Sequence, residues 1–237
     1  MLKHSWKTAM VLVAMVSASA FGAFNTYTES FDSDTGAWRD NGDGPNPALW
    51  SNDLGPDGQP GVMVGSRTDG PFPAQVGAFG GDLGNPIQRI DNFLGDLNAK
   101  YGPLVQFSYW VRDLDGQTGG EPNEVTIHPN PAVLRWYTDP AVLAVGPNGW
   151  VQYGTTFDTT WTDAEANAGG WFASDPGVSW ATLMQNVRNF FINAPTNGPV
   201  GNTEALYLDE VFIGGIPEPA TLALLGLGGL MLIRRRH

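Results

Sequence analysis

The chain has 237 residues, and 24 acidic against 12 basic side chains give a formal charge of −12, so it is one or at most two domains of acidic protein. That charge excludes a nucleic-acid groove, which needs clustered cations. The absence of cysteine excludes a disulfide framework, a thiolate nucleophile and a Cys-based metal centre. Hydrophobic residues at 42% can fill a core, and Gly 31 with Pro 18 stays below the proportion that marks low complexity.

In chain order, Lys3, His4 and Lys7 precede an apolar run from Ala9 to Val16, and Ala18-Ser19-Ala20 follows. Charged, apolar and small-residue regions in that order make a secretory signal peptide over residues 1–20. Its run is too short to span a bilayer, and cleavage is expected after Ala20, on Ala18 and Ala20, with Gly22 or Ala23 as alternatives.

Residues 21–216 show alternating apolar residues separated by Gly, Pro, Asn and Asp clusters, the pattern of strands and turns. Leu104–Arg112 is the clearest strand: Val105, Phe107, Tyr109 and Val111 share one face, and Gln106, Ser108, Trp110 and Arg112 the other. Further strands are expected at 24–31, 61–65, 124–128, 132–137, 142–145, 149–157, 187–194 and 204–214. Short helical turns are expected at 90–101 and at 179–185, where Ser179 can cap. With no repeat and no long linker, the region reads as one all-β domain, a two-sheet β-sandwich.

Glu29-Ser30-Phe31-Asp32 followed by Gly36-Ala37-Trp38 opens the domain, and Val187–Ile192 followed by Leu206–Ile213 closes it. These stretches resemble the jelly-roll sandwich of bacterial carbohydrate-binding modules and laminin-G-like domains. The resemblance implies that the first and last strands lie side by side. It also implies a structural calcium site with an acidic residue from each end, the matching positions being Glu29 or Asp32, and Asp209. No cofactor is otherwise fixed by the sequence.

The composition agrees with calcium in one respect, since hard oxygen donors are abundant and soft ones absent. Asp113-Leu114-Asp115-Gly116-Gln117 with Glu124 at the twelfth place imitates an EF-hand loop, but Thr118 stands where that loop needs glycine. His128 is the lone histidine of the middle region, which argues against zinc. Sugar rings stack their C–H faces on exposed aromatic planes while polar neighbours bond the hydroxyls. Trp110, with Gln106 and Arg112 on the same strand face, is therefore the candidate glycan-binding site. Catalysis has little to stand on. The Glu-x-Asp-x-x-Glu string of jelly-roll glucanases, Gly-x-Ser-x-Gly and the phosphate-loop motifs are all missing, and strand alternation sends Asp209 and Glu210 to opposite faces.

At the end, Pro217-Glu218-Pro219 is followed by fourteen uncharged residues, Ala220–Ile233, and then by Arg234, Arg235, Arg236 and His237. Fourteen helical residues cover roughly 21 Å of a hydrocarbon layer about 30 Å thick, a marginal transmembrane helix that arginine snorkelling can extend. The arginines would stay cytoplasmic and everything before Pro217 would lie outside. Residues 217–237 resemble the PEP-CTERM sorting signal of Gram-negative bacteria. The resemblance implies export through the inner membrane, anchoring by the C-terminal helix, processing by an exosortase near Pro-Glu-Pro, and a final place at the cell surface or in an exopolysaccharide matrix. Without both end segments, 23 acidic and 7 basic residues remain. The sequence thus describes an exported, non-catalytic glycan-binding or adhesion module; a structural matrix protein without a ligand site and an unrecognised polysaccharide-acting enzyme are its alternatives.

Overall fold

The computed structural model describes residues 25–36, 38–40, 46–47, 49–67, 75–79, 89–113, 124–129, 135–174, 177–193 and 204–217. The signal peptide with Ala18 and Ala20, most of the EF-hand-like stretch, Glu218, Pro219, the C-terminal helix and Arg234–Arg236 lie outside the described residues. Among the described residues no helix is long and apolar enough to cross a membrane.

The fold is two antiparallel sheets. The larger runs in the order β10 (Ala141–Val145), β11 (Val151–Asp158), β7 (Leu104–Asp113), β14 (Glu204–Gly215), β5 (Pro60–Arg67), β4 (Leu49–Leu54), with β1 (Thr26–Glu29) also on β14. The second runs β12 (Phe172–Ala173), β9 (Trp136–Thr138), β8 (Glu124–His128), β13 (Asn189–Asn193), β6 (Gln75–Phe79), β2 (Arg39–Asp40), β3 (Asn46–Pro47). First and last strands are neighbours, Thr26 opposite Gly214 and Glu29 opposite Val211.

Alternation decides which side of each strand is buried. Val105, Phe107, Tyr109 and Val111 of β7 are buried, as are Val125 and Ile127 of β8 and Phe190 and Ile192 of β13. Phe107 and Phe190 meet between the sheets with ring centroids 4.6 Å apart. Each such side chain removed from water contributes about 1.5–3 kcal/mol. Phe93, from a 3-10 turn at Arg89–Phe93, reaches the same core and contacts Trp38, Tyr27, Phe107 and Phe190. The turn is tied to α1 (Leu97–Tyr101) by Lys100, whose ammonium donates to the carbonyls of Asp91 and Leu94.

A tryptophan cluster fills another part of the core. Trp180 opens α3 (Trp180–Met184) and packs on Trp136, Trp171 and Phe157, while its indole donates to the Asp158 carbonyl at 2.8 Å. Beside it sits α2 (Asp163–Ala168), started by a capping box between Thr162 and Glu165. That Thr-x-x-Glu signal was present in the sequence, yet Asp-Ala-Glu-Ala-Asn-Ala has no apolar period to announce a helix. β4 and β6 were likewise hidden among polar and glycine-rich residues, whereas Ser179 does cap α3 through Thr182 N–H.

Candidate functional site

The polar face of β7 is the outer face of the larger sheet. Gln152 of β11 and Asp209 of β14 stand opposite Trp110, and Tyr207 stands opposite Arg112. Two rows of side chains therefore cross three strands. In one row Trp110 is half-buried with its ring against Gly146, where a Cβ would fall 2.8 Å from the indole. In the other row the Arg112 guanidinium lies 5.8 Å from the centre of the Tyr207 ring. Trp150, one residue before β11, stacks on Tyr207 at 6.4 Å with 27° between planes.

Tyr207 also donates its hydroxyl to Asp53 of β4, and Ser51 donates to the same carboxylate oxygen at 2.5 Å. These two hydrogen bonds, Ser51 first, with help from the Arg112 charge, hold the exposed Asp53 carboxyl below the ordinary aspartate range. The Tyr207 phenol moves the other way, up, because its protonated hydroxyl donates a hydrogen bond to the Asp53 carboxylate. Aromatic planes, a guanidinium and a carboxylate thus share one surface of the sheet.

Gln106 belongs elsewhere on that face. Four residues from Trp110 along β7, it stands opposite Thr156 and lines an open cleft of about 550 Å³ with Asp139, Leu143, Thr155 and Phe172. Leu143 reaches over Gly154, opposite Ser108, and so lies between the cleft and Trp110. The structure brings Trp110 and Arg112 together and places Gln106 at a separate opening. Tyr207, Asp53 and Trp150 were missed from the sequence. Alternation with Leu206 and Leu208 could have put Tyr207 on the polar face, but which strand lies beside β7 was not written locally.

The acidic positions divide as well. Glu29 is buried on the inward side of β1, where it accepts from Tyr27 at 2.9 Å, whereas Asp209 is on the outer face. Asp32 and Asp209 do come near each other. The approach depends on Gly61, at φ +116, where a Cβ would lie 2.7 Å from the Asp32 Cα. At Gly55 a Cβ would fall 2.1 Å from a carboxylate oxygen of Asp209. Asp209 is 2% exposed, and burial, with Glu210, Asp57 and Asp32 adding like charge, pushes its carboxyl up to about 8. The backbone N–H of Glu210 opposes that shift through a 2.8 Å bond.

Alternation failed at Glu210. A bulge between Asp209 and Phe212 inserts one residue into β14, and Glu210 adopts φ 49. Burial followed by the charges of Asp57 and Asp32 raises the Glu210 carboxyl too, so both neighbours meet the same acidic group instead of opposite faces of the sheet. Even so, among the described residues no three His, Cys, Asp or Glu side chains are close enough to hold a metal ion. Glu29, on the inner side of the sheet, does not join Asp32 and Asp209. His128 is 5% exposed, its ring edge-on to Phe191 at 5.0 Å; burial, then the Arg135 charge, lowers its pKa to about 4.

Fold and face together describe a β-rich protein of two antiparallel sheets, the larger with an aromatic and polar outer surface. The end of the chain adds its destination. Residues 215–236 match the PEP-CTERM protein-sorting motif. The motif marks the chain for export, for anchoring at the membrane before processing, and for an exosortase. It begins within the last strand: Gly215 N–H donates to Asn25 and Ile216 N–H to Leu104, at 3.0 and 2.8 Å. Pro217 is therefore the second residue after β14. No curated protein matches the chain.

Proposed function

We propose that this exported protein acts at the cell envelope or in the extracellular matrix as a non-catalytic glycan-binding or adhesion module, with its contact surface at Trp110 and Arg112. The observation that carries the reading is the partly exposed Trp110 on a sheet face that also presents Arg112, Tyr207 and Asp53. A pyranose ring would lay its C–H face on the indole, while the guanidinium and the carboxylate would bond hydroxyls on either side. The net negative charge favours a neutral or cation-bridged polysaccharide over another acidic polymer. Processing by an exosortase near Pro217-Glu218-Pro219 would release the domain from its membrane helix.

The test is a binding titration against purified exopolysaccharide. Trp110→Ala is expected to weaken binding at least about tenfold, a loss of about 1.4 kcal/mol, and also to lower the melting temperature because the indole is partly buried, so binding is compared well below the melting temperature of both proteins. Unchanged affinity would remove this face from the proposal and favour a structural matrix protein.

A further inference from the structure

Edge strands expose unpaired backbone groups, and folded proteins guard them with charge, proline, shortness or a covering segment. Among the described residues β10 is the outermost strand of the larger sheet, and its sequence is Ala141-Val142-Leu143-Ala144-Val145. Val142, Leu143 and Val145 are 57%, 51% and 77% exposed. From Pro140 to Trp150 no residue is ionisable. One bulge, between Val142 and Ala144, is the only guard within the strand. The opposite edge differs: β4 carries Asp53, bonded to Ser51 and Tyr207.

The same side of the sandwich bears β12, the end strand of the second sheet, with Phe172 47% exposed and its ring 5.9 Å from Tyr137. Ala141, Leu143 and Phe172 line one cleft together with Gln106, Asp139 and Thr155, so the two edges meet at a shared, partly polar opening. We infer that β10 is a self-association edge, and that it accepts β10 of a second copy of this chain in antiparallel pairing.

Charge selects that occupant. Two copies with a net charge of −12 each repel wherever their carboxylates face one another. The uncharged hairpin from Pro140 to Trp150 is a surface where that repulsion is least. On the strand itself a basic partner would find no carboxylate, and Asp139, two residues before it, offers a single charge at the cleft. A second copy supplies what the edge lacks, a row of backbone donors and acceptors flanked by small and branched apolar side chains, and a two-fold axis makes the match reciprocal. Five paired residues and Phe172 bury less than the roughly 1,200 Å² of a stable dimer. The contact is therefore weak in dilute solution and is strengthened by crowding on a surface.

The absence of native cysteine makes the test direct. Single cysteines are placed in turn at positions 141 to 145 of the full chain in detergent, with Leu54→Cys on the exposed far edge as control. Under mild oxidation at least one β10 cysteine is expected to give mostly disulfide-linked dimer, the yield rising with concentration, while the control stays monomeric. Val145→Lys, at a solvent-facing position, is expected to abolish the concentration dependence seen by sedimentation with the parent chain. Any of three results would overturn the inference. They are equal cross-linking at Leu54→Cys, cysteines protected at every dilution because a segment of the same chain covers the strand, and sedimentation unchanged by Val145→Lys.

Discussion

Asp53 and Asp209 lie on the same side of one sheet and ionise in opposite directions. Asp53 is exposed and takes hydrogen bonds from Ser51 and Tyr207, with Arg112 nearby, so its charged form is favoured. Asp209 is buried, receives one backbone N–H, and faces three more acids, so its charged form is disfavoured up to about pH 8. Donors and solvent stabilise a carboxylate; burial among like charges does the reverse. The contrast separates a surface able to bond a ligand from one that holds a proton at neutral pH.

The largest expected effect breaks the Asp209 side. The folded state keeps this proton up to about pH 8, whereas the ordinary aspartate value is 3.8. Folding thus takes up a proton between those values, and stability is full below the lower value and falls as pH rises through the upper one. Asp209→Asn removes that dependence and is expected to make the protein more stable than the parent at pH 8.5, by on the order of a few kcal/mol. Thermal melting across pH 4–9 checks it; parallel curves for parent and variant would show that Asp209 ionises normally.

Next in size is Glu210→Gly. Glycine adopts φ 49 without a Cβ conflict and removes one charge from the acidic group. A gain of about 1 kcal/mol in urea unfolding is expected, less the roughly 0.5–1 kcal/mol of extra unfolded-chain freedom that glycine carries. A marked loss would mean that the Glu210 side chain has a favourable partner.

Calcium should matter less. Because no three acidic side chains among the described residues are close enough to hold an ion, 1 mM Ca²⁺ and EDTA at pH 8.5 are expected to give melting temperatures within about 2 °C of each other. A larger rise with Ca²⁺ would mean that Asp209 and Asp32 close around the ion, restoring the calcium reading. Smallest of all, Tyr207→Phe should leave stability nearly unchanged and move the Asp53 titration upward toward the ordinary aspartate range, followed by NMR. If the Asp53 titration stays put, Ser51 and the Arg112 charge hold it down without Tyr207.

Much of the fold was legible in particular residues. Val105 to Val111 alternate, and their inward face is the core; Glu124–His128 runs between the ends expected of it. β4 was not legible, because Leu49-Trp50-Ser51-Asn52-Asp53-Leu54 carries polar residues on a strand whose side chains are largely exposed. No burial pattern was imposed on it to read. The short α2 was missed for the related reason that it buries only Ala166.

By itself, the sequence determined where the protein is sent and that its body is β, since a terminal sorting motif and a period of two are local properties of the chain. It also determined that Trp110 and Arg112 share a strand face. Only the tertiary structure decided that Tyr207 lies across from Arg112, that Gln106 opens onto a separate cleft, and that Asp209 is joined by Glu210, Asp32 and Asp57. Strand order, a one-residue bulge and close passage at two glycines set those neighbours. Each depends on segments far apart in the chain, and no local pattern encodes which of them will meet.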